Sequence, residues 1–176
     1  TYIGRYVFVN CTGLQELTIP VDYPVGNNLF DGVCNVSKIR YTYGQTGVMP
    51  DRYDNYNYGS HYEGTLEYIC RDSLESVYFD DGITHIGNYA FFECRNLSNL
   101  RLPDTLTYIG AHAFQNCVSL TEMLLPENVD TLGSDSFSGC SGLTRIQIPA
   151  KVTQLPDGCF AGCSGLTKLT VPDTVT

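Results

Sequence analysis

The residues best equipped for chemistry in this sequence are eight cysteines, three histidines and a run of acids and tyrosines. Cysteine and histidine together raise three possibilities: soft-metal ligation, a disulfide framework, or a nucleophile with its base. Their spacing supports no reaction centre. Cys159 and Cys163 form a C-x-x-x-C pair with no second pair to complete a tetrahedral zinc site. His61, His85 and His112 are scattered, and no H-E-x-x-H occurs. There is no glycine-rich phosphate loop and no G-x-S-x-G elbow. Catalysis needs such groups converging in one pocket, so the sequence reads as a non-enzyme with no metal and no cofactor.

The acids and tyrosines are a different matter. Residues 42–64, TYGQTGVMPDRYDNYNYGSHYEG, hold Tyr43, Tyr53, Tyr56, Tyr58 and Tyr62 together with Asp51 and Asp54. Gly, Asn and Pro between them are turn formers. Tyrosine supplies a large contact area at low entropic cost, which makes these seven residues the candidate ligand-binding set. The same rings would equally serve to pack a loop onto the domain beneath it. Calcium is a poorer fit, because Asp51, Asp54 and Asn57 offer oxygens without the EF-hand spacing. Residues 51–93 carry nine acids against Arg52 and Arg71, which is −7 of the chain's net −9. That balance excludes a phosphate-binding surface, so no nucleic-acid partner is expected. No apolar run of about 18 residues exists to insert in a membrane. No basic segment followed by an apolar stretch opens the chain, so a secreted form would have lost its signal, or the chain is a cut piece.

What must position these residues is a repeat. Phe91, Phe114, Phe137 and Phe160 stand 23 residues apart without a slip. Each is followed at three by Cys94, Cys117, Cys140 or Cys163, and at six by Leu97, Leu120, Leu143 or Leu166. Leu100, Met123, Ile146 and Leu169, then Leu102, Leu125, Ile148 and Val171, alternate with outward positions before Pro103, Pro126, Pro149 and Pro172. FVNCTGLQELTIP at 8–20 keeps every anchor. Units at Phe30 and Tyr68 are degenerate, with Cys34 one place late and Cys70 one place early. From Phe30 to Tyr68 is 38 residues where 23 were due, which places a Tyr-rich insertion at about 42–64. The reading is one domain, 1–176, of seven units anchored at Phe8, Phe30, Tyr68, Phe91, Phe114, Phe137 and Phe160, the last incomplete.

A unit of this length cannot bury its own apolar face, but stacked units bury a continuous core. The alternating segment predicts a short strand, and stacked strands predict a parallel sheet rising about 4.8 Å per coil. Proline ends each strand, and the A-F piece predicts a short helical turn on the opposite side. Cys11, Cys94, Cys117, Cys140 and Cys163 fall at one repeat position. Their Cα spacing of about 5 Å permits a disulfide by distance. In-register side chains point the same way, however, so they read as a column of small buried thiols. Two outward rows follow from the register: Thr18, Arg40, Tyr78, Arg101, Leu124, Gln147 and Thr170, and Glu16, Lys38, Ser76, Asn99, Glu122, Arg145 and Lys168. Neither clusters catalytic groups; the second mixes charges, which suits a solvated face or a protein ligand.

The consensus L-x-x-L-x-L-P-x-x-V/L-x-x-I/L-G-x-x-A-F-x-x-C resembles the BspA-like, or Treponema-type, leucine-rich repeat over about six-sevenths of the chain. Departures are Ser136 and Cys159 at the usual Ala, and Pro156 at the usual Gly. The resemblance implies an α/β-type repeat solenoid, mostly β and loop with short helical turns. It further implies an extracellular or cell-surface protein of bacteria or certain protozoa, acting in adhesion or recognition of a host or matrix protein or glycan. The resemblance carries over no catalytic residues. The alternative is a rigid structural spacer presenting another domain. In a bacterial protein the N-x-[ST] sequences at Asn10, Asn35 and Asn96 read as chance. An open last coil predicts end-to-end self-association.

Overall fold

Strict alternation before each proline produces the strands. The computed structural model describes residues 6–23, 29, 34–52 and 70–176. Ten strands occur among them: β1 Glu16–Pro20, β2 Lys38–Thr42, β3 Ser76–Phe79, β4 His85–Ile86, β5 Asn99–Arg101, β6 Tyr108–Ile109, β7 Glu122–Leu124, β8 Thr131–Leu132, β9 Arg145–Gln147 and β10 Lys168–Thr170. Every pairing is parallel. One face carries β1-β2-β3-β5 and then β7-β9-β10, while β4-β6-β8 form a second ladder. The register runs Leu17↔Ile39↔Val77↔Leu100 and Met123↔Ile146↔Leu169, so the repeat's apolar anchors meet coil to coil. This is the expected parallel solenoid.

Proline has no N–H to continue a ladder. Each strand accordingly runs into a turn in which the carbonyls of Pro103, Pro126 and Pro149 accept from the amides of Leu106, Val129 and Val152. The expected helical turns around A-F are single turns closed by amides bonding three residues back, such as Gln115 to His112 and Cys117 to Phe114; no helix occurs among the described residues. Alternate amides there instead reach the next coil: His112, Phe114 and Asn116 donate to Ser134, Ser136 and Ser138. That geometry places Tyr89, His112 and Asp135, and again Glu93 and Asn116, at positive φ; Gly158, Gly139 and Gly162 fill the equivalent positions.

Behind the strands, Phe91, Phe114, Phe137 and Phe160 stack face to face at 5.3, 5.6 and 5.7 Å with ring planes within 8°. The cysteine column runs beside them. Cys117, Cys140 and Cys163 donate their thiols to the carbonyls of Phe91, Phe114 and Phe137. Ser136 and Cys159, the two departures from Ala, sit on adjacent coils and touch, Oγ to Sγ at 3.3 Å. The glycine after each second-ladder strand is needed for close approach. A Cβ on Gly133 would lie 2.2 Å from the Ala111 amide nitrogen, and one on Gly110 would lie 2.5 Å from that of Asn88.

Candidate functional site

A strand face that is half solvated turns alternate side chains outward. On β1, β2, β3 and β5 the outward row is Thr18, Arg40, Tyr78 and Arg101, directly opposite one another across the ladder. Beside it run Glu16, Lys38, Ser76 and Asn99. The first row, Glu16 and Lys38 of the second, and the acids just past the strand ends, Asp80, Asp81 and Asp104, line an open trough of about 820 Å³. Arg40 donates through Nε to Asp80 at 2.7 Å, and Lys38 to Glu16 at 3.0 Å. The Lys38 ammonium lies 5.7 Å from the Tyr78 ring centre, and Asn99 donates to the Tyr78 hydroxyl at 2.8 Å. Arg101 is exposed and makes no ion pair among the described residues.

The main ladder is not continued from β5 to β7, although β4-β6-β8 crosses the same coils unbroken. Past this seam the face changes character. Glu122 pairs with Arg145 at 3.0 Å, Lys168 lies next in register, and Leu124 is 79% exposed. The recess here is smaller, about 260 Å³.

Of the seven residues that the sequence nominated, two lie among the described residues. Tyr43 is partly exposed, with its ring laid across Gly47 and Gly82, where any Cβ would strike it. Asp51 accepts the Asn88 amide at 2.7 Å, and the Arg52 amide donates to the Asn88 carbonyl. Both residues therefore bind one coil to the next. Residues 43–52 complete a coil in this way, with Val48 bridging to His85 and Met49 donating to His85. Tyr53, Asp54, Tyr56, Tyr58 and Tyr62 lie outside the described residues.

Chain on either side of that segment is tied down. Arg52 is buried with its guanidinium 4.4 Å from the Tyr23 ring centre. Cys34 and Cys70 form a disulfide, Cα to Cα 5.1 Å. The sequence signal for this bond was their displacement. One cysteine is a place late and its neighbour a place early, so the two are offset in register and face each other, unlike the parallel thiols of the column. Nearby, Asp22 staples the turn at 44–46 by accepting the amides of Gln45 and Thr46 at 2.7 and 3.0 Å. Partial burial raises its pKa, but these bonds outweigh that and hold the carboxyl below its usual value.

The remaining reactive groups among the described residues serve packing. His85 Nδ1 lies 2.8 Å from the Thr84 hydroxyl, with the ring stacked on Tyr108. His112 Nδ1 lies 2.8 Å from Gln115 Oε1, with the ring stacked on Tyr89. Burial, and then the neighbouring thiols of the column, push the Cys117 thiol well up; burial takes Cys140 to about 12 and Cys159 to about 11. Such thiols are neither nucleophiles nor ligands at neutral pH. No group of three or more His, Cys, Asp or Glu placed to hold a metal occurs among the described residues. Asn35 and Asn96 spend their side-chain amides on the carbonyls of Thr12 and Asp72, one coil back. No helix among the described residues is long and apolar enough to cross a membrane.

Comparison with known proteins agrees with this architecture. The BspA type leucine rich repeat region matches in six copies, over residues 1–55 and 66–176. A leucine-rich repeat protein from Bacteroides ovatus is 26% identical with a TM-score of 0.69, over 96% of this chain and 39% of its own. A leucine rich cell surface protein from Faecalibacterium prausnitzii is 22% identical with a TM-score of 0.52, over 93% of this chain and 61% of its own. The chain thus spans about two-fifths to three-fifths of the length of these proteins. No curated protein matches.

Proposed function

Because the chain belongs to the family of BspA-type leucine-rich repeats, we propose that it is a non-catalytic recognition module of a secreted or cell-surface protein, gripping a protein or glycan through the trough on its sheet face. The observation that carries this reading is the trough itself. Three successive coils turn Arg40, Tyr78, Arg101 and the acids Asp80, Asp81 and Asp104 outward over one concavity, while the repeat's invariant positions are committed to the core. A binding surface on a stiff scaffold needs little ordering when it meets its ligand, which favours affinity. Tyr53, Tyr56, Tyr58, Tyr62 and Asp54 are proposed as a second contact, since their segment joins coils that also form the trough. An oxidising, extracellular location is supported by the Cys34–Cys70 disulfide, because such bonds are rare in the cytosol. The description of the F. prausnitzii relative as a cell surface protein points the same way.

One observation favours a second reading. The Phe91–Phe160 stack and the unbroken β4-β6-β8 ladder make a stiff rod suited to holding another domain at a distance. A screen against matrix proteins and glycans separates the two. It uses the intact chain, an Arg101→Ala/Tyr78→Ala variant, and a chain with residues 54–66 replaced by a short turn; circular dichroism verifies the fold of each. Binding lost in the double variant supports the trough, and binding lost only in the loop replacement moves the contact to the tyrosines. A screen without hits leaves the rod.

A further inference from the structure

We infer that the trough accepts a sugar bearing a carboxylate, with Arg101 taking the carboxylate, Tyr78 the ring face, and Asp81 and Asp104 the hydroxyls. This inference rests on the reading of the trough as a recognition surface and names what it recognises. Charge is the first ground. Lys38 is engaged by Glu16, and Arg40 by Asp80, but Arg101 in the same row has no anion among the described residues. A guanidinium is a planar fork that matches a carboxylate with two parallel bonds. In a chain of net charge −9, a cation left open beside a trough is the natural seat for an anion.

The second ground is Tyr78. It stands opposite Arg101 in register, half-buried, with its hydroxyl fixed by Asn99 at 2.8 Å. The Lys38 ammonium lies over the ring, 5.7 Å from its centre, which leaves the opposite side to take the carbon face of a pyranose beside that fork. Asp81 and Asp104 are the third ground. Both are exposed, line the trough and have no side-chain partner among the described residues. Ionised carboxylates only accept hydrogen bonds, so they repel a densely anionic ligand but welcome hydroxyls. The ligand is thus one with few negative charges among many hydroxyls. An extended peptide fits less well, because peptides join sheets at a free edge; β2 and β3 at the trough's centre are paired on both sides, which would confine a peptide to the outer strands β1 and β5.

Uronic acids and sialic acids share this chemistry, and the test separates them. Calorimetric titration compares a galacturonate tetramer with its neutral galactose counterpart, and sialyllactose with lactose; a glutamate hexapeptide is the control. At least one acidic sugar should bind about tenfold or more tightly than its neutral partner, as one charge-assisted fork allows. Arg101→Gln should abolish that preference, Tyr78→Leu should weaken acidic and neutral sugars alike, and Lys168→Gln, on the same face beyond the seam, should change neither. The inference is overturned if no acidic sugar outdoes its neutral counterpart, if the hexapeptide binds more tightly, or if Lys168→Gln matters as much as Arg101→Gln. A matrix protein whose binding needs Arg101 while no sugar binds would overturn the sugar and spare the trough. A matrix protein bound equally by the Arg101→Gln and Tyr78→Leu variants would sink the trough reading as well.

Discussion

Opening the Cys34–Cys70 bond tests the structure where its sequence is least regular. The bond spans 36 residues and encloses β2 and the whole segment from 53 to 69. In the loop-entropy treatment, a closed loop of that length removes about 13 cal/mol/K from the unfolded chain, or about 4 kcal/mol at room temperature. With a urea dependence of about 2 kcal/mol per molar, the midpoint should fall by about 2 M on reduction. The remaining cysteines supply an internal control. Cys11, Cys94, Cys117, Cys140, Cys159 and Cys163 are free thiols. Reductant acts on none of them, so any loss of stability belongs to the one bond.

Thiol titration makes this decisive. Unfolded without reductant, the chain should show six thiols, and with reductant eight. In the native state at pH 8, exposed Cys11 should react first and Cys163 slowly. Cys117, Cys140 and Cys159 should stay silent, because burial raises their pKa, to about 12 for Cys140 and about 11 for Cys159, and leaves almost no thiolate. Eight thiols in the unreduced chain, or a midpoint indifferent to reductant and to a Cys34→Ala/Cys70→Ala exchange, would refute the reasoning.

Phe114 touches a ring on each side, whereas partly exposed Phe160 has one described ring neighbour. Phe114→Ala should therefore cost about 3–5 kcal/mol in urea unfolding, and Phe160→Ala about half of that. Equal losses would contradict a stack built of nearest-neighbour terms. Gly133→Ala drives a methyl against the Ala111 backbone and should cost about 1–3 kcal/mol; a thermal melt unchanged from the parent would count against so close an approach. Asp22 has its pKa lowered on folding, so its contribution is present above the unfolded value of 3.8 and fades as pH falls through the folded one. Asp22→Asn should lose about 0.5 kcal/mol at pH 7, since the group is near the surface, and should flatten the pH dependence below 3.8. Leu169 and Val171 are 41% and 44% exposed in and beside β10, and sedimentation of this 176-residue chain should show concentration-dependent association that Leu169→Glu removes.

The core was legible because burial repeats. Phe, Cys, Leu and Pro recur at fixed offsets, and each offset corresponds to one contact between coils: a ring on a ring, a thiol on the carbonyl of the preceding coil's phenylalanine, a proline at a strand's end. What stayed hidden has no shared chemistry to repeat. Tyr89, His112, Asp135 and Gly158 occupy one position because of a backbone angle, and no common side-chain property marks it. The second ladder is two residues per strand, too short for an alternation to emerge; only the I/L of the consensus, here Ile109 and Leu132, marked it. Tyr43 and Asp51 stood in the candidate ligand-binding set with packing as the alternative, and in the structure they pin one coil to the next. The outward rows could be written down from the register. Their function could not, because Asp80, which neutralises Arg40 and so leaves Arg101 as the open cation, lies outside the periodic anchors.

The trough sits where the molecule's irregular coils meet its regular ones. From Phe91 onward the anchors never slip and the phenylalanines stack within 8°. In the earlier coils, Tyr41 and Phe79 also bring rings to the core, stacked on each other and meeting Phe91 edge-on. These coils also carry the off-register cysteines, the buried arginine, most of the acids and the larger part of the trough, whose far wall, Arg101 to Asp104, belongs to the first coil of the regular half. A column of identical rings needs nothing beyond itself to hold a coil in place, so substitutions that broke it there would simply destabilise. Where the column gives way to mixed aromatic contacts, a covalent bond, a cation on a ring and the Asp22 and Asp51 staples fix the backbone instead. Side chains freed from the repeat's pattern can then vary toward a ligand without loss of the fold. A recognition surface would be expected in that half and at its border, and the trough lies there, reaching across the border to Arg101 and Asp104.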